Sequence, residues 1–330
     1  MFLLIILFVS GLAVTIKGGD WLVSGASGIA RRYGLSELLI GLTIVAFGTS
    51  LPEFVVSLLA IIGDHSDIAL ANVIGSNNFN LMVIMGLCGL LMPLSIQKDT
   101  IRREIPVSLL AVVMLLLFGN DFFISSRNDS VSRLDGIFML IVFALFLIYL
   151  FRQSKLDRIE DQKTGIIVSK KKGWLLIVSG LGFLLVGGQV SVTSAVNLAK
   201  AINISEKVIG LTVLAIGTSL PELVTSIVAM RKKNVNIAIG NIIGSNIFNV
   251  LWILGIGSVI MPIKFSGSYN IDLLFLSAGT VFLILAMFTG KKRQLDRWES
   301  IVLLGIYGVW MLLSAGLMKY PILHFQFLND

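Results

Sequence analysis

The sequence GTSLPE occurs at residues 48–53 and again at residues 217–222, and each copy places a proline and a glutamate inside an apolar run. Proline cannot donate a backbone hydrogen bond to the carbonyl four residues earlier, so each copy predicts a broken helix. A carboxylate surrounded by hydrocarbon is costly and usually functional. The repeated motif therefore predicts two interrupted helices, with Glu53 and Glu222 just beyond the breaks.

Each copy is accompanied by hydroxyl and amide side chains at matching positions. The hydroxyl residues precede the glutamate by four and three positions, which places them on its face of a continuous helix. They are Thr49 and Ser50 in the first copy, and Thr218 and Ser219 in the second. A second motif, GSNNFN at 75–80 and GSNIFN at 244–249, completes a stripe of polar residues spaced four apart. The stripe consists of Asn72, Ser76 and Asn80, and in the second copy of Asn241, Ser245 and Asn249.

These side chains predict a site built only from oxygen donors, because neither histidine nor cysteine belongs to the motifs. Such a site suits hard cations such as Na⁺ and Ca²⁺, and Ca²⁺ takes about 6–8 oxygen ligands. Two carboxylates would neutralise one Ca²⁺. Two structural alternatives stay open: the glutamates could be simple helix termini, and Asn77 and Asn246 could serve only as interhelical hydrogen-bonding residues.

Other potential metal ligands lie outside the repeated motifs. Asp64, His65 and Asp67 lie together in a predicted loop, but the second copy has lysine and asparagine at the corresponding positions. We interpret them as a solvated turn. The single cysteine, Cys88, lies in an apolar stretch and is interpreted as a packing residue, so no disulfide framework is expected.

The elements that must position these residues are membrane spans. The 330-residue chain is 56% hydrophobic, only 14% charged, and has a mean hydropathy of +0.92, whereas soluble domains are about 25% charged. A spanning helix needs about 20 apolar residues. Ten segments qualify: 2–30, 36–62, 67–93, 104–123, 132–151, 173–197, 205–230, 235–262, 269–290 and 297–317. The first could be read as a signal peptide, but it lacks the basic region that such a peptide needs.

The charge distribution predicts the orientation of these spans. A net charge of +7 could indicate nucleic-acid binding, but here the basic residues concentrate in alternate loops, seven of them between Arg152 and Lys172. The positive-inside rule then places that linker in the cytoplasm and both termini outside. The run Lys170–Lys172 is interpreted as a topology anchor, with lipid binding as the alternative. The linker is too short for a regulatory domain, so a prokaryotic cell (inner) membrane is the expected location.

The chain is an internal duplication. IGLTIVAFGTSLPE at 40–53 and IGLTVLAIGTSLPE at 209–222 share eleven of fourteen residues, and both motifs recur at a constant offset of 169. Each half carries five segments, an odd number, so the second half must enter the membrane from the opposite side. The predicted fold is an all-α polytopic protein of ten transmembrane helices, arranged as two inverted-topology repeats with broken helices at the midplane. Residues 1–151 form the first repeat, 152–172 the cytoplasmic linker, and 173–330 the second repeat.

With its paired GTSLPE and GSNxFN motifs in two inverted halves, the chain resembles the sodium/calcium exchanger family of the cation/calcium antiporter superfamily, over essentially its whole length. The resemblance implies Glu53 and Glu222 as central Ca²⁺ ligands, with the carbonyls of Thr49 and Thr218. It also implies flanking Na⁺ sites and two asparagines between the glutamates. The Na⁺ ligands would be the Ala46 carbonyl, Ser50 and Ser76, and the Ala215 carbonyl, Ser219 and Ser245; the asparagines are Asn80 and Asn249.

One residue departs from the family pattern. Well-known members have an aspartate where this chain has Asn249, whereas Asn80 matches the usual residue. The replacement removes a titratable carboxylate, which argues against K⁺ dependence and leaves the stoichiometry open.

The function predicted from these residues is secondary active exchange of Na⁺ for Ca²⁺ by alternating access, with both ions as substrates and no prosthetic group. Ca²⁺/H⁺ exchange at the same carboxylates is the alternative, because carboxylates also bind protons. An intramembrane enzyme is disfavoured, since the chain has no HExxH or GxSxG motif and only two histidines. A membrane scaffold without transport activity would not need duplicated carboxylates at the midplane.

Overall fold

The structure, a computed structural model, describes residues 1–120, 129–156, 169–201, 215–290 and 293–314. Helices account for most of these residues. They are α1 Phe2–Tyr33, α2 Glu37–Thr49, α3 Leu51–Ile62, α4 Ser66–Leu91, α5 Thr100–Gly119, α6 Arg133–Leu156, α7 Lys170–Ala201, α8 Ala215–Thr218, α9 Leu220–Arg231, α10 Val235–Ile260, α11 Tyr269–Ala286 and α12 Arg297–Ser314. Four short strands complete the fold: β1 Leu94–Ser95, β2 Ser130–Val131, β3 Ile263–Lys264 and β4 Gln294–Leu295.

Within the described residues, six helices are long and apolar enough to cross a membrane, and the bent pair α2 and α3 would make a seventh span. The six are α1, α4, α6, α7, α10 and α11. Helix overlaps each of the ten segments predicted from the sequence, but the segment 205–230 lies partly outside the described residues. The described helices that overlap 104–123, 205–230 and 297–317 are not among these candidate spans. The chain is therefore an all-helical membrane protein, and the count of ten spans stays a prediction.

Helices α4 and α10 form the centre of the molecule. In each of these two helices 83% of an 18-residue apolar stretch is buried, whereas in the other four candidate spans 22–33% of the corresponding stretch is buried. The broken helices α2–α3 and α8–α9 lie against this central pair. Gly240 of α10 allows the closest approach, because a Cβ there would lie 2.7 Å from the Leu38 carbonyl oxygen. The polar motifs are therefore held in the most enclosed part of the protein.

Helices α1 and α7 are the longest, and they pack against each other as an antiparallel pair. Glycines spaced seven apart line the contact: Gly11, Gly18 and Gly25 on α1 face Gly187, Gly180 and Gly173 on α7. A Cβ added at Gly18 would lie 2.6 Å from the Leu184 nitrogen, and one at Gly180 would lie 2.6 Å from the Leu22 nitrogen. Only glycine permits backbones to approach this closely.

The two halves of the chain are joined at both ends of the helix bundle. Strand β1 of the first half pairs antiparallel with β4 of the second, and β2 of the first half pairs antiparallel with β3 of the second. An ion pair lies beside this second sheet, with the Lys264 ammonium 3.1 Å from the Asp64 carboxylate. At the other end, Lys232 after α9 lies 2.6 Å from the Asp20 carboxylate of α1.

Candidate functional site

Both GTSLPE motifs break their helices at the serine. Ser50 and Ser219 leave the helical path with nearly identical backbone angles, φ −83° and ψ 8° at Ser50 and φ −86° and ψ 7° at Ser219. At the first break α2 and α3 meet at a bend of 49°. The helix that follows each break places its glutamate in the first turn, where the helix dipole favours a negative charge. Glu53 and Glu222 are completely buried.

Each serine at a break hydrogen-bonds to the glutamate of the opposite half. Ser50 Oγ donates to Glu222 Oε1 at 2.9 Å, and Ser219 Oγ donates to Glu53 Oε1 at 3.1 Å. Ser50 and Glu53 were expected to share a face, and both make hydrogen bonds to the opposite half. The helix spacing did not predict that the serine bonds to Glu222 and not to Glu53.

The threonines of the motif reach across in the same way. Thr49 Oγ1 donates to Asn241 Oδ1 at 3.0 Å, and Thr218 Oγ1 donates to Asn72 Oδ1 at 3.2 Å. The hydroxyl of Ser76 lies 3.4 Å from that of Thr218. The broken helix of each half is thus hydrogen-bonded to the polar stripe of the other half.

The polar stripes hold the glutamates of their own halves. Ser76 Oγ donates to Glu53 Oε1, and Ser245 Oγ donates to Glu222 Oε1, both at 3.4 Å. Each carboxylate therefore receives one hydroxyl from each half. Oxygen Oε1 of both glutamates accepts these bonds, whereas Oε2 of each has no hydrogen-bond partner among the described residues.

Two serines that the sequence analysis did not identify help to hold the asparagines that bond to the glutamate backbone. Asn72 Nδ2 donates to the Glu53 carbonyl at 3.3 Å and to Ser57 Oγ at 3.0 Å. Asn241 forms the same two bonds, at the same distances, with the Glu222 carbonyl and Ser226. The signal was present in the sequence, because both motifs continue to a serine four residues after the glutamate.

Several buried polar atoms at this place have no hydrogen-bond partner within the described part of the chain. They include Oε2 of Glu53 and of Glu222, both side-chain polar atoms of Asn80, and Oδ1 of Asn246 and of Asn249. Folded proteins leave few buried polar atoms unpaired, and an unpaired oxygen on a buried carboxylate is especially costly. Five of these six atoms are oxygens, so the arrangement fits a cation that supplies the missing partner.

The asparagines of GSNxFN join the two central helices. Asn77 Nδ2 donates to the Asn246 carbonyl at 3.1 Å, and Asn246 Nδ2 donates to the Asn77 carbonyl at 3.3 Å. Asn249 Nδ2 donates to Asn77 Oδ1 at 3.0 Å. The interpretation of Asn77 and Asn246 as interhelical hydrogen-bonding residues agrees with these contacts. Asn249 is fixed by the same network, and its amide nitrogen is turned toward Asn77.

The remaining predicted ligands lie along the broken helices. Ala46 is buried, and its carbonyl already accepts the backbone N–H of Ser50 at 3.0 Å. Ala215 is the first residue of α8, and its neighbours 202–214 lie outside the described residues. Among the residues that the structure describes, no three His, Cys, Asp or Glu side chains come together. A metal at this site would therefore need hydroxyl, amide and carbonyl oxygens in addition to the two carboxylates.

The loop between α3 and α4 is separate from this site. Asp64 pairs with Lys264 at the end of the bundle, and both side chains are exposed. This agrees with the interpretation of Asp64, His65 and Asp67 as a solvated turn.

Comparison with known proteins relates this chain to one family. The sequence profile described as "Sodium/calcium exchanger protein" matches residues 3–152 and 172–316. The putative antiporter CaxA of Alkalimonas amylolytica is 36% identical over 303 residues, with 89% of this chain and 93% of that protein covered. The inner membrane protein YrbG of Escherichia coli is 35% identical, with 94% and 96% covered.

A third relative and a solved structure agree with this relation. The sodium/calcium exchanger MaX1 of Methanosarcina acetivorans is 32% identical, with 90% of this chain and 94% of that protein covered. The structure of the sodium–calcium exchanger NCX_Mj soaked with Na⁺ and Ca²⁺ superimposes with a TM-score of 0.80 at 31% identity. That match covers 95% of this chain and 98% of the other.

Proposed function

The chain belongs to the sodium/calcium exchanger family, and we propose that it exchanges Na⁺ for Ca²⁺ across the membrane by alternating access. Membership of this family makes it a membrane cation/Ca²⁺ antiporter and not an enzyme. The coupling to Na⁺ and the ligands at each site are proposals that rest on the family resemblance, and the geometry of the buried polar cluster supports them.

The observation that carries the proposal is the pair of buried glutamates, each with one oxygen that has no partner in the described part of the chain. We assign Ca²⁺ to the space that Glu53 and Glu222 face, because the two carboxylates balance its charge. The carbonyls of Thr49 and Thr218 and the side chains of Asn80 and Asn249 are assigned as the further oxygen ligands. Together they approach the number of oxygens that Ca²⁺ prefers.

We assign the flanking positions to Na⁺. On one side the ligands are the Ala46 carbonyl, Ser50 and Ser76, and on the other the Ala215 carbonyl, Ser219 and Ser245. The serines are supported by their hydrogen bonds to the glutamates, which bring each hydroxyl oxygen next to a negative charge. Two Na⁺ would neutralise the carboxylates as one Ca²⁺ does. A third Na⁺ would leave one positive charge, so that transport would respond to voltage.

The burial of the carboxylates explains why the transport would be an exchange. Moving two empty, charged carboxylates through a closed state would cost several kcal/mol, because each would lose its hydration without gaining a counter-ion. A loaded site avoids this cost. The protein would therefore change sides with Ca²⁺ or with Na⁺ bound, and an empty site would stay where it is.

We further propose ten transmembrane helices in two inverted repeats, residues 1–151 and 173–330, joined by a cytoplasmic linker at 152–172. The reciprocal hydrogen bonds at an offset of 169 support the repeats. The strand pairs agree with the predicted grouping of the loops, since β1 and β4 belong to two loops assigned to one side and β2 and β3 to two loops assigned to the other. The positive-inside rule supplies the orientation. Both termini are then extracytoplasmic, and the inner membrane is the proposed location.

The proposal is tested with purified protein in liposomes loaded with Na⁺ and diluted into Na⁺-free medium containing radioactive Ca²⁺. We expect Ca²⁺ uptake that requires internal Na⁺ and that changes when valinomycin and K⁺ set the membrane voltage. Ca²⁺ uptake that does not depend on the Na⁺ gradient would contradict Na⁺ coupling.

The alternative is Ca²⁺/H⁺ exchange, and the observation in its favour is that the unpaired oxygen of a buried carboxylate is also a site for a proton. The same liposomes distinguish the two. An inside-acid pH gradient that drives uptake in the absence of Na⁺ would assign the protein to proton coupling. Because Asn249 is an amide, the titrating groups would then be the two glutamates.

A further inference from the structure

An ion pair ties α1 to the turn that follows α9. The Lys232 ammonium lies 2.6 Å from Asp20 Oδ1. It also donates to the Asp20 carbonyl at 2.8 Å and to Ser24 Oγ at 2.6 Å. An ammonium has three N–H donors, and α1 supplies a partner for each of them. Lys232 therefore holds α1 by several bonds and not by charge alone.

The same turn holds α1 at a second point. Asn234 Nδ2 donates to Ser27 Oγ at 2.7 Å, and its backbone N–H bonds to the Ala229 carbonyl at 2.8 Å, which closes the turn onto the end of α9. Asp20 and Ser27 are seven residues apart on α1, a rise of roughly 10 Å. We call this set of contacts the α1 latch; it consists of Asp20, Ser24 and Ser27 on α1 with Lys232 and Asn234 in the turn.

The internal repeat does not reproduce the latch. At the offset of 169, the residue corresponding to Asp20 is Gln189 on α7, and the residue corresponding to Lys232 is Gly63. Gln189 Nε2 donates to Thr193 Oγ1 of its own helix at 3.2 Å, and glycine has no side chain to offer. The described residues therefore contain no equivalent of this ion pair between α7 and the turn after α3.

The packing beside the latch is asymmetric in the same sense. A Cβ added at Gly19 of α1 would lie 3.1 Å from Val224 Cγ1 of α9, whereas one at Gly188, the corresponding residue of α7, meets nothing within 4 Å among the described residues. Val228 of α9 is 8% exposed, and its counterpart Leu59 of α3 is 65% exposed. In the described part of the chain, α1 thus covers α9 more closely than α7 covers α3.

We propose that the α1 latch stabilises the state in which α1 closes the cytoplasmic side of the site, and that it opens in every transport cycle. This rests on the proposed alternating access and on the assignment of the turn after α9 to the cytoplasm. In a protein of inverted repeats, the two states exchange the packing of the two halves. A contact that one half forms without a counterpart then contributes to one state only and shifts the equilibrium toward it.

The accessibility of Thr225 measures this equilibrium. Thr225 lies on α9 and is completely buried, and its Cα is 3.7 Å from the position that a Cβ on Gly19 would occupy. Thr225→Cys, in a background with Cys88→Ala, is treated with a membrane-impermeant methanethiosulfonate in inside-out vesicles at constant Na⁺. The reagent reaches the cysteine when α1 moves away from α9, so the labelling rate follows the population of the state that is open to the cytoplasm.

Lys232→Gln and Asp20→Asn should each raise this labelling rate about fivefold, the upper range for a partly exposed ion pair. The double variant should raise the rate by the same factor as either single variant, because both changes remove the same contact. The matched control is Lys17→Gln, which removes another cation 3.8 Å from Asp20 but within α1 itself. The control should leave the rate unchanged.

A second reporter distinguishes release of the latch from a general loosening of the fold. Val56 on α3 corresponds to Thr225 at the offset of 169, and Val56→Cys is labelled from the outside in right-side-out vesicles. Its labelling rate should not rise in the latch variants, because they favour the state that is closed to the outside. A destabilised protein would instead label faster at both positions.

Three outcomes would overturn the latch. An unchanged rate at Thr225→Cys in Lys232→Gln and Asp20→Asn would reject it and leave the proposed exchange intact. Faster labelling at both reporters would show a general loosening. A Thr225→Cys that is labelled in none of the variants would contradict alternating access itself and the latch with it. The readout does not involve Ca²⁺ flux, so it is independent of whether Na⁺ or H⁺ drives transport.

Discussion

At the scale of the residue, the site consists of two buried carboxylates held by hydroxyls from both halves of the chain. Ser50 donates to Glu222 and Ser219 donates to Glu53, while Ser76 donates to the glutamate of its own half. Neither carboxylate is positioned by one repeat alone. A movement of one half relative to the other must therefore change the surroundings of both glutamates together.

This crosswise arrangement predicts the effect of removing the hydroxyls. Ser50→Ala and Ser219→Ala should each raise the Ca²⁺ concentration for half-maximal uptake about tenfold, because a hydrogen bond to a charged group contributes roughly 1.5–3 kcal/mol. Ser10→Ala is the control, since its hydroxyl bonds only within an exposed turn of α1. The measurement is initial Ca²⁺ uptake into Na⁺-loaded liposomes.

A double-mutant cycle then identifies the partner of each serine. Ser50→Ala is combined with Glu222→Asp and, separately, with Glu53→Asp, and Ca²⁺ binding is measured for every variant. We expect a larger coupling energy between Ser50 and Glu222. A larger coupling between Ser50 and Glu53 would show that the serine serves its own half, against the structure.

The sequence predicted which residues form the buried polar cluster better than it predicted their hydrogen-bond partners. Glu53, Glu222 and the asparagine stripes follow from the duplicated motifs. The crossing of Ser50 and Ser219 does not, because it depends on the direction of a 49° bend and on which half lies opposite. Ser57 and Ser226 were missed although the repeat contains them, since a serine in an apolar helix more often bonds to its own backbone.

At the scale of the element, the glycine contact between α1 and α7 determines how these two helices can move. Close backbone contact without interlocking side chains leaves a smooth surface, as sliding helices would need. The sequence shows that the first and sixth segments are rich in glycine. It did not predict that they face each other, because the spacing of glycines on one helix does not identify the partner helix.

Substitution of two glycines on α7 distinguishes the effect of this contact from the general effect of replacing glycine by alanine in a helix. Gly180→Ala should lower the thermal stability by about 5 °C and reduce transport, because the added Cβ would lie 2.6 Å from the Leu22 nitrogen and overpacking costs about 1–3 kcal/mol. Gly182→Ala should leave both unchanged or slightly improved, since a Cβ there meets nothing within 4 Å among the described residues. Thermal unfolding followed by size-exclusion chromatography measures the difference. Equal effects of the two substitutions would show that α1 and α7 are not in close contact.

At the scale of the whole molecule, duplication gives the protein two equivalent halves that meet at the site and again at both ends of the bundle. The constant offset in the sequence predicted the equivalence. The strand pairs β1–β4 and β2–β3 could not be predicted, since two-residue strands carry no periodic signal. They matter because they connect loops of opposite halves at the same end of the helix bundle.

The orientation of the halves predicts a labelling pattern. In a background with Cys88→Ala, single cysteines replace two exposed residues, Ser266 beside β3 and Lys98 beyond β1. A membrane-impermeant maleimide added to intact spheroplasts should label Ser266→Cys and not Lys98→Cys, and permeabilised cells should label both. The reverse pattern would invert the proposed topology, and labelling of both in intact cells would contradict the assignment of the two loops to opposite sides.

The most direct test of the central claim is Na⁺-driven Ca²⁺ uptake by Glu53→Gln and Glu222→Gln. Glutamine keeps the shape and the hydrogen bonds from serine but removes the charge that would balance Ca²⁺. We expect uptake in both variants to fall at least about a hundredfold, while Glu37→Gln, which alters a glutamate at the start of α2 that pairs with Arg31, stays near wild type. Robust Na⁺-driven uptake in either site variant would contradict the assignment of these two carboxylates as the Ca²⁺ ligands.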